Sequence, residues 1–196
     1  MTQASKRLLS IAMLGAAVAG CGASPAARFY TLSSAAKAEG GSAAYAVGVG
    51  PVTIPSAVDR PQIVVQVGPN RVEIDEFSRW AAPLDEGIAR AVAGNLAILL
   101  GTPDVAVAPL ASLTPEFRVT IDVQRFDSTR AESVVVDAVW AVRRTAGEEA
   151  RSGRTLARET VEAESVDALA AAHSRALARL SADIAGAIRE MAAGKG

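Results

Sequence analysis

Val166, Leu169, His173, Leu177, Leu180, Ile184, Ile188 and Met191 recur three or four residues apart near the carboxyl end of the chain. That spacing marks one face of an α-helix of about 25 residues, roughly 37 Å long. The alanines between these positions raise its intrinsic helix propensity. So long an apolar stripe has to be buried against another element. A second stripe is formed by Leu84, Ile88, Val92, Leu96 and Leu99. Pro83 suits the first turn of that helix, Asp85 and Glu86 sit where its dipole favours negative charge, and Gly101 ends it. Trp80, just ahead, is expected to pack as a lid over the first turn.

Between and around the helices the periodicity changes to two. Val47, Val49 and Val52 mark a first strand, and Gly48 and Gly50 alternate with them, as if another element approached one face closely. Ile63-Val64-Val65-Gln66-Val67, a Gly68-Pro69-Asn70 turn and Arg71-Val72-Glu73-Ile74-Asp75 read as a hairpin. Val105 and Val107 form a short strand. Phe117, Val119, Ile121 and Val123 alternate with polar residues, and Val134, Val136, Ala138, Trp140 and Val142 return across a link at Asp127 to Ala131. Thr145 to Gly153 reads as a looser turn, and Arg154 to Glu162 as a half-exposed antiparallel strand. The predicted fold is therefore α/β in the α+β-like sense. It is a two-layer sandwich in which a mixed, mostly antiparallel sheet carries both amphipathic helices on one face. The other face is wet or used for assembly.

The amino end is organised differently. Lys6 and Arg7 precede an apolar run from Leu8 to Val18, too short for the roughly 20 residues of a bilayer span. A basic start, a short apolar core and small residues at the cut describe an export signal. Val18-Ala19-Gly20-Cys21 sharpens this, because small residues at 19 and 20 leave room for cleavage before the thiol. The segment resembles the lipobox of bacterial lipoproteins, in which the cysteine takes a diacylglyceryl group and the new amino terminus is acylated. Cys21 is the one cysteine in the chain, so no disulfide competes for it. Two or more acyl chains make a stable anchor. Gly22, in place of the aspartate that commonly retains lipoproteins at the inner membrane, resembles an outer-membrane destination. The expected organisation is a signal peptide at 1–20, a lipidated tether at 21–43 and one periplasmic domain at 44–192. Ser33 to Ala44 holds little that can pack and reads as tether or loop. Within the tether, Phe29-Tyr30-Thr31-Leu32 is either a docked edge strand or an exposed recognition point.

Composition excludes several functions. Loss of Lys6 and Arg7 with the signal leaves 18 basic against 21 acidic residues, a net charge of −3 with the basic residues dispersed. Such a chain offers no long-range attraction to nucleic acid, and its few aromatics do not interleave with a basic patch. His173 is the one histidine and lies on the apolar stripe, where packing is its expected role. A single histidine and a single cysteine exclude the usual zinc ligand sets. There is no Gly-x-Ser-x-Gly elbow, and Gly48-Val49-Gly50 does not extend to a nucleotide-binding fingerprint. Asp75-Glu76 and Asp85-Glu86 fit solvated or capping roles, since adjacent residues on a helix do not face each other. No catalytic residue, cofactor or metal is expected.

Three stretches carry a resemblance. Phe29-Tyr30-Thr31-Leu32 follows the lipobox. Val49-Gly50-Pro51-Val52-Thr53-Ile54-Pro55 leads to Val58-Asp59-Arg60-Pro61-Gln62-Ile63-Val64. Asn70 and the hairpin return precede Trp80-Ala81-Ala82-Pro83-Leu84, which opens a helix carrying Asn95-Leu96. In these the chain resembles the PqiC-like family of ABC-type transport auxiliary lipoproteins, associated with MCE-type systems. The resemblance implies a non-catalytic subunit at the periplasmic face of the outer membrane. Its implied partners are an MCE-domain protein and, through it, an ABC permease and ATPase. Those chains would move phospholipid or other hydrophobic molecules between membranes and support envelope integrity. Large apolar side chains are scarce outside the helices and strands, which favours an adaptor over a lipid carrier. A homo-oligomer is compatible with the chain, and a general envelope assembly lipoprotein is the alternative. The candidate partner-binding residues are Phe29, Tyr30, Asp59, Arg60 and Gln62. Pro61 holds Arg60 extended, and its guanidinium offers five donors in a fixed fork. Asp59 and Arg60 either present that fork to a partner or tie the loop to its own domain.

Overall fold

The computed structural model describes residues 25–38, 40, 45–109 and 114–194. The predicted signal segment and Cys21 lie outside the described residues. In chain order the elements are β1 (Arg28–Tyr30), β2 (Val47–Thr53), β3 (Gln62–Gly68), β4 (Arg71–Trp80), α1 (Leu84–Leu100), β5 (Val105–Val107), β6 (Phe117–Thr129), β7 (Ser133–Arg144), β8 (Ala150–Thr160) and α2 (Val166–Ala193).

Two amphipathic helices pack on one face of a mixed sheet, as the periodicities require. The alternating apolar residues of β6 and β7 are buried, α2 lies mainly over β7 and β8, and α1 lies beside α2 over β2 and β5. The strands form a five-stranded sheet in the order β5-β2-β6-β7-β8 and a three-stranded sheet in the order β1-β4-β3. In the first, β2 runs parallel to both neighbours, while β6, β7 and β8 form an antiparallel meander. In the second, β3 and β4 are the expected hairpin and β1 pairs parallel with β4. The hairpin strands thus stand in a small sheet of their own. A hairpin completes its inner ladder without joining the larger sheet, and periodicity does not report which strands share a sheet. Ile63 and Val65 are buried, and β3 lies against β6.

The helix ends follow local chemistry. The Ser165 hydroxyl caps α2 by accepting from the Ala168 amide at 3.2 Å. Gly101 ends α1 with φ at 64°, in the left-handed region glycine tolerates. At Gly50, φ is +119° and an added Cβ would lie 3.3 Å from the Ala108 methyl, which is the close approach the alternating glycines suggested.

Three boundaries differ from the sequence reading. β6 continues to Thr129, so the link to β7 is tighter than Asp127 to Ala131. β4 runs on to Trp80 rather than ending at Asp75. β8 begins at Ala150 rather than Arg154, because Gly153 is not a turn residue. It stands opposite Trp140, whose indole occupies the space a Cβ would need, only 2.4 Å away. The indole Nε1 donates to Thr155 Oγ1 at 3.1 Å.

The low-complexity stretch after β1 is also corrected, because part of it packs. The Asn95 side chain on α1 accepts at Oδ1 from the amides of Ala35 and Ala36, at 2.9 and 3.0 Å. Its Nδ2 donates to Ser181 Oγ on α2 at 3.2 Å, and Ser181 in turn donates to the Leu177 carbonyl at 2.7 Å. The Ser33 amide donates to Ser174 Oγ at 3.2 Å. Residues 33–36 are thus a strap across both helices. Alanine and serine lack packing bulk, but their backbone amides are full hydrogen-bond donors, and hydropathy does not count those.

His173 is fully buried in α2, stacked on Phe126 with ring centroids 3.8 Å apart and packed edge-on against Trp80. Its Nε2 shares a hydrogen bond with Ser128 Oγ at 2.8 Å. Burial among aromatic rings lowers its pKa from 6.5 to about 3. The folded chain therefore refuses a proton that the unfolded chain accepts below pH 6.5. Stability is greatest above that pH and falls as pH drops toward 3.

Two outcomes are expected. Asn95→Ala strands two strap amides and removes the donor to Ser181, and should cost about 2–3 kcal/mol in denaturant unfolding while exposing the strap to proteolysis. Between pH 7 and pH 5 the parent should lose about 2 kcal/mol through His173 alone, and His173→Gln should show a flatter pH dependence of Tm.

Candidate functional site

β4 ends in a bulge, and the bulge places Trp80. Ile63 pairs with Asp75 but Gln62 pairs with Arg79, so β4 carries extra residues between them. Asp75 fixes this turn by accepting at Oδ1 from the amides of Phe77 and Ser78, at 3.2 and 2.9 Å. Arg130, in the β6–β7 turn, donates to Asp75 Oδ2 at 2.8 Å and so joins the two sheets. Burial raises the Asp75 pKa, but the Ser78 hydroxyl, the two amides and Arg130 outweigh it, and the carboxyl stays below its ordinary value. The Asp75-Glu76 pair is thus structural on its Asp75 side.

Beyond the bulge, Trp80 is held from both directions. Its amide donates to the Pro61 carbonyl at 2.7 Å, and the next amide, of Ala81, donates to the Tyr30 carbonyl at 2.9 Å. The indole is buried edge-on against Phe126 and His173. Trp80, Ala82 and Leu84 then form the shared wall of two adjoining hollows. One, of about 230 Å³, is bounded by Tyr30, Leu32 and Arg90. The other, of about 360 Å³, is bounded by Asp59, Arg60 and Pro61. Trp80 lines both hollows together with Leu84, the first residue of α1, and so builds this groove.

The structure divides the sequence-derived candidates. Tyr30, Asp59 and Arg60 line the groove. Phe29 and Gln62 do not. Phe29 alternates with Tyr30 along β1, lies opposite Arg79 and is exposed. Gln62 donates to Glu76 at 3.2 Å outside the groove. β1 is thus a docked edge strand on which Phe29 stays exposed. Asp59 and Arg60 are both exposed, and among the described residues neither side chain forms an ion pair or hydrogen bond. Arg90, at the opposite rim, is paired with Glu86 at 3.2 Å. Trp80, at the centre of the groove, is not among the predicted partner-binding residues. The available signal was its position between a strand and a helix-opening proline, where one large ring touches both neighbours.

Among the described residues the groove has an apolar wall around Trp80 and one cation, Arg60, without an intramolecular partner on its rim. Among the described residues no group of histidine, cysteine or acidic side chains is placed to hold a metal ion. No described helix is long and apolar enough to cross a membrane.

Two solved structures share this fold. A crystal structure of an uncharacterised protein superposes with a TM-score of 0.68 at 19% identity, covering 84% of this chain and 99% of that one. Protein XCC0632 from Xanthomonas campestris superposes with a TM-score of 0.64 at 17% identity, covering 82% and 93%. No curated protein sequence matches the chain. The family model described as ABC-type transport auxiliary lipoprotein component matches residues 30–185, from the last residue of β1 through the groove and β2–β8 to most of α2. The chain therefore belongs to the ABC-type transport auxiliary lipoprotein components, a non-catalytic family.

Proposed function

We propose that this chain is the lipid-anchored adaptor of an MCE-type ABC transport system. Acylated Cys21 holds it at the periplasmic face of the outer membrane. The groove around Trp80 receives the MCE-domain partner, which links it to the permease and ATPase. Phospholipid or another hydrophobic molecule passes through the partner and not through this domain, because the two hollows suit protruding side chains of a protein better than acyl chains. The observation that carries this reading is Arg60. It has no intramolecular partner among the described residues, yet it stands at the rim of a groove whose walls are fixed by Pro61, Trp80 and Tyr30. A guanidinium fork left free beside a rigid apolar wall suits a carboxylate or backbone carbonyl on a docking chain.

Two measurements follow. Arg60→Ala should leave Tm unchanged and weaken capture of the purified MCE subunit by about 1–2 kcal/mol or more, as for an interface arginine. Equal affinity in both proteins removes Arg60 from the interface. Cys21→Ser should accumulate as unacylated precursor, whereas mass spectrometry of the parent should find an acylated amino-terminal Cys21. Cleavage elsewhere or an unmodified thiol would contradict the anchor.

A further inference from the structure

The three-stranded sheet has one face buried and one bare. Ile63 and Val65 point into the domain. On the opposite face, Val64 stands across from Ile74, Gln66 from Val72, and Gln62 from Arg79, which in turn neighbours Phe29. Phe29, Val72 and Ile74 therefore share an outer face with Val64, and Phe77 lies in the adjoining bulge. Their exposures are high for residues of their kind: 65% for Phe29, 51% for Val72, 41% for Phe77 and 40% for Ile74. The charged side chains on this face, Glu76 and Arg79, cancel. The outer face of the five-stranded sheet is different. There Arg125 pairs with Asp127 and Arg154 with Asp137, and the exposed Val139 and Leu156 stand among charges.

The position of the bare face identifies what covers it. Cys21 precedes Arg28 by seven residues. Seven residues span at most about 25 Å when fully extended. A domain of this size has a radius of gyration of about 15 Å, so the tether is shorter than the domain is wide. β1, an edge strand of the bare sheet, therefore stays within about 25 Å of a bilayer that holds Cys21. An apolar, net-neutral face with two phenylalanines next to an acyl anchor has the composition of an interfacial membrane surface. Because Tyr30 alternates with Phe29, the groove then opens on the other side of β1, away from lipid.

We infer that the outer face of the three-stranded sheet, Phe29, Val72, Ile74 and Phe77, rests on the lipid bilayer beside the anchor and sets the orientation of the domain. This rests on the acylation of Cys21 proposed above. The test uses the full lipidated protein in vesicles of phosphatidylethanolamine and phosphatidylglycerol. Nitroxides are placed singly through Val72→Cys, Phe77→Cys, Val139→Cys and Leu156→Cys, since an acylated Cys21 leaves no competing thiol. Labels at 72 and 77 should collide preferentially with oxygen over a water-soluble nickel complex, and labels at 139 and 156 should show the reverse. Aqueous labels at all four positions on acylated, vesicle-bound protein overturn the inference and leave the anchor standing. Dipolar broadening between labels at 72 without oxygen preference assigns the face to a second copy, and protection that appears only with an added protein assigns it to that protein. Either outcome overturns the inference. Mass spectrometry of the same sample showing free Cys21 defeats the anchor and this inference together.

Discussion

Burial of the α2 stripe against β7 and β8 is the interaction on which the other elements depend. Leu177, Leu180, Ile184 and Ile188 are fully enclosed there. The same helix presents Ser181 to Asn95 and so registers α1 and the strap. It also presents His173, whose stack on Phe126 and edge contact with Trp80 tie the end of β4 to the core. At its far end the Arg144 guanidinium donates to the Met191 carbonyl and pairs with Glu149. A single helix face thus fixes the large sheet, the second helix, the strap and the residue around which the groove is built.

Rigidity at Trp80 has a functional meaning. A groove that keeps its shape binds without first being ordered, so less of the interaction is lost to conformational entropy. The bulge at Asp75 contributes by turning the strand end inward, and Arg130 holds that turn to the larger sheet. Arg60 is the opposite case. It sits on a firm support, restricted by Pro61, with its charge uncommitted. The domain is consequently stiff where a partner's apolar side chains would press and open where a partner's charge or carbonyl would be met.

Much of this was legible in the sequence because buried stripes and alternating runs report directly on local structure. The spacing from Val166 to Met191 gave α2, and Phe117 to Val123 with Val134 to Val142 gave the central hairpin. The resemblance carried by Asp59-Arg60-Pro61-Gln62 and Trp80-Ala81-Ala82-Pro83-Leu84 pointed to the two segments that do meet. Long-range facts were harder to read. Nothing local tells that β3 and β4 form their own sheet with β1, that Gly153 makes room for the Trp140 ring, or that two alanine amides find Asn95 across the helices. Those depend on residues distant in sequence, and in the strap they depend on backbone groups that carry no side-chain signature.

The central claim is that the partner enters the groove around Trp80. A photoreactive side chain at Ala82, on the shared wall of the two hollows, tests it most directly when compared with one at Leu156 on the outer face of the five-stranded sheet. With both variants expressed in cells beside the MCE-domain subunit, the account predicts a cross-linked product from position 82 and none from 156. Cross-linking from 156 with none from 82 would contradict it.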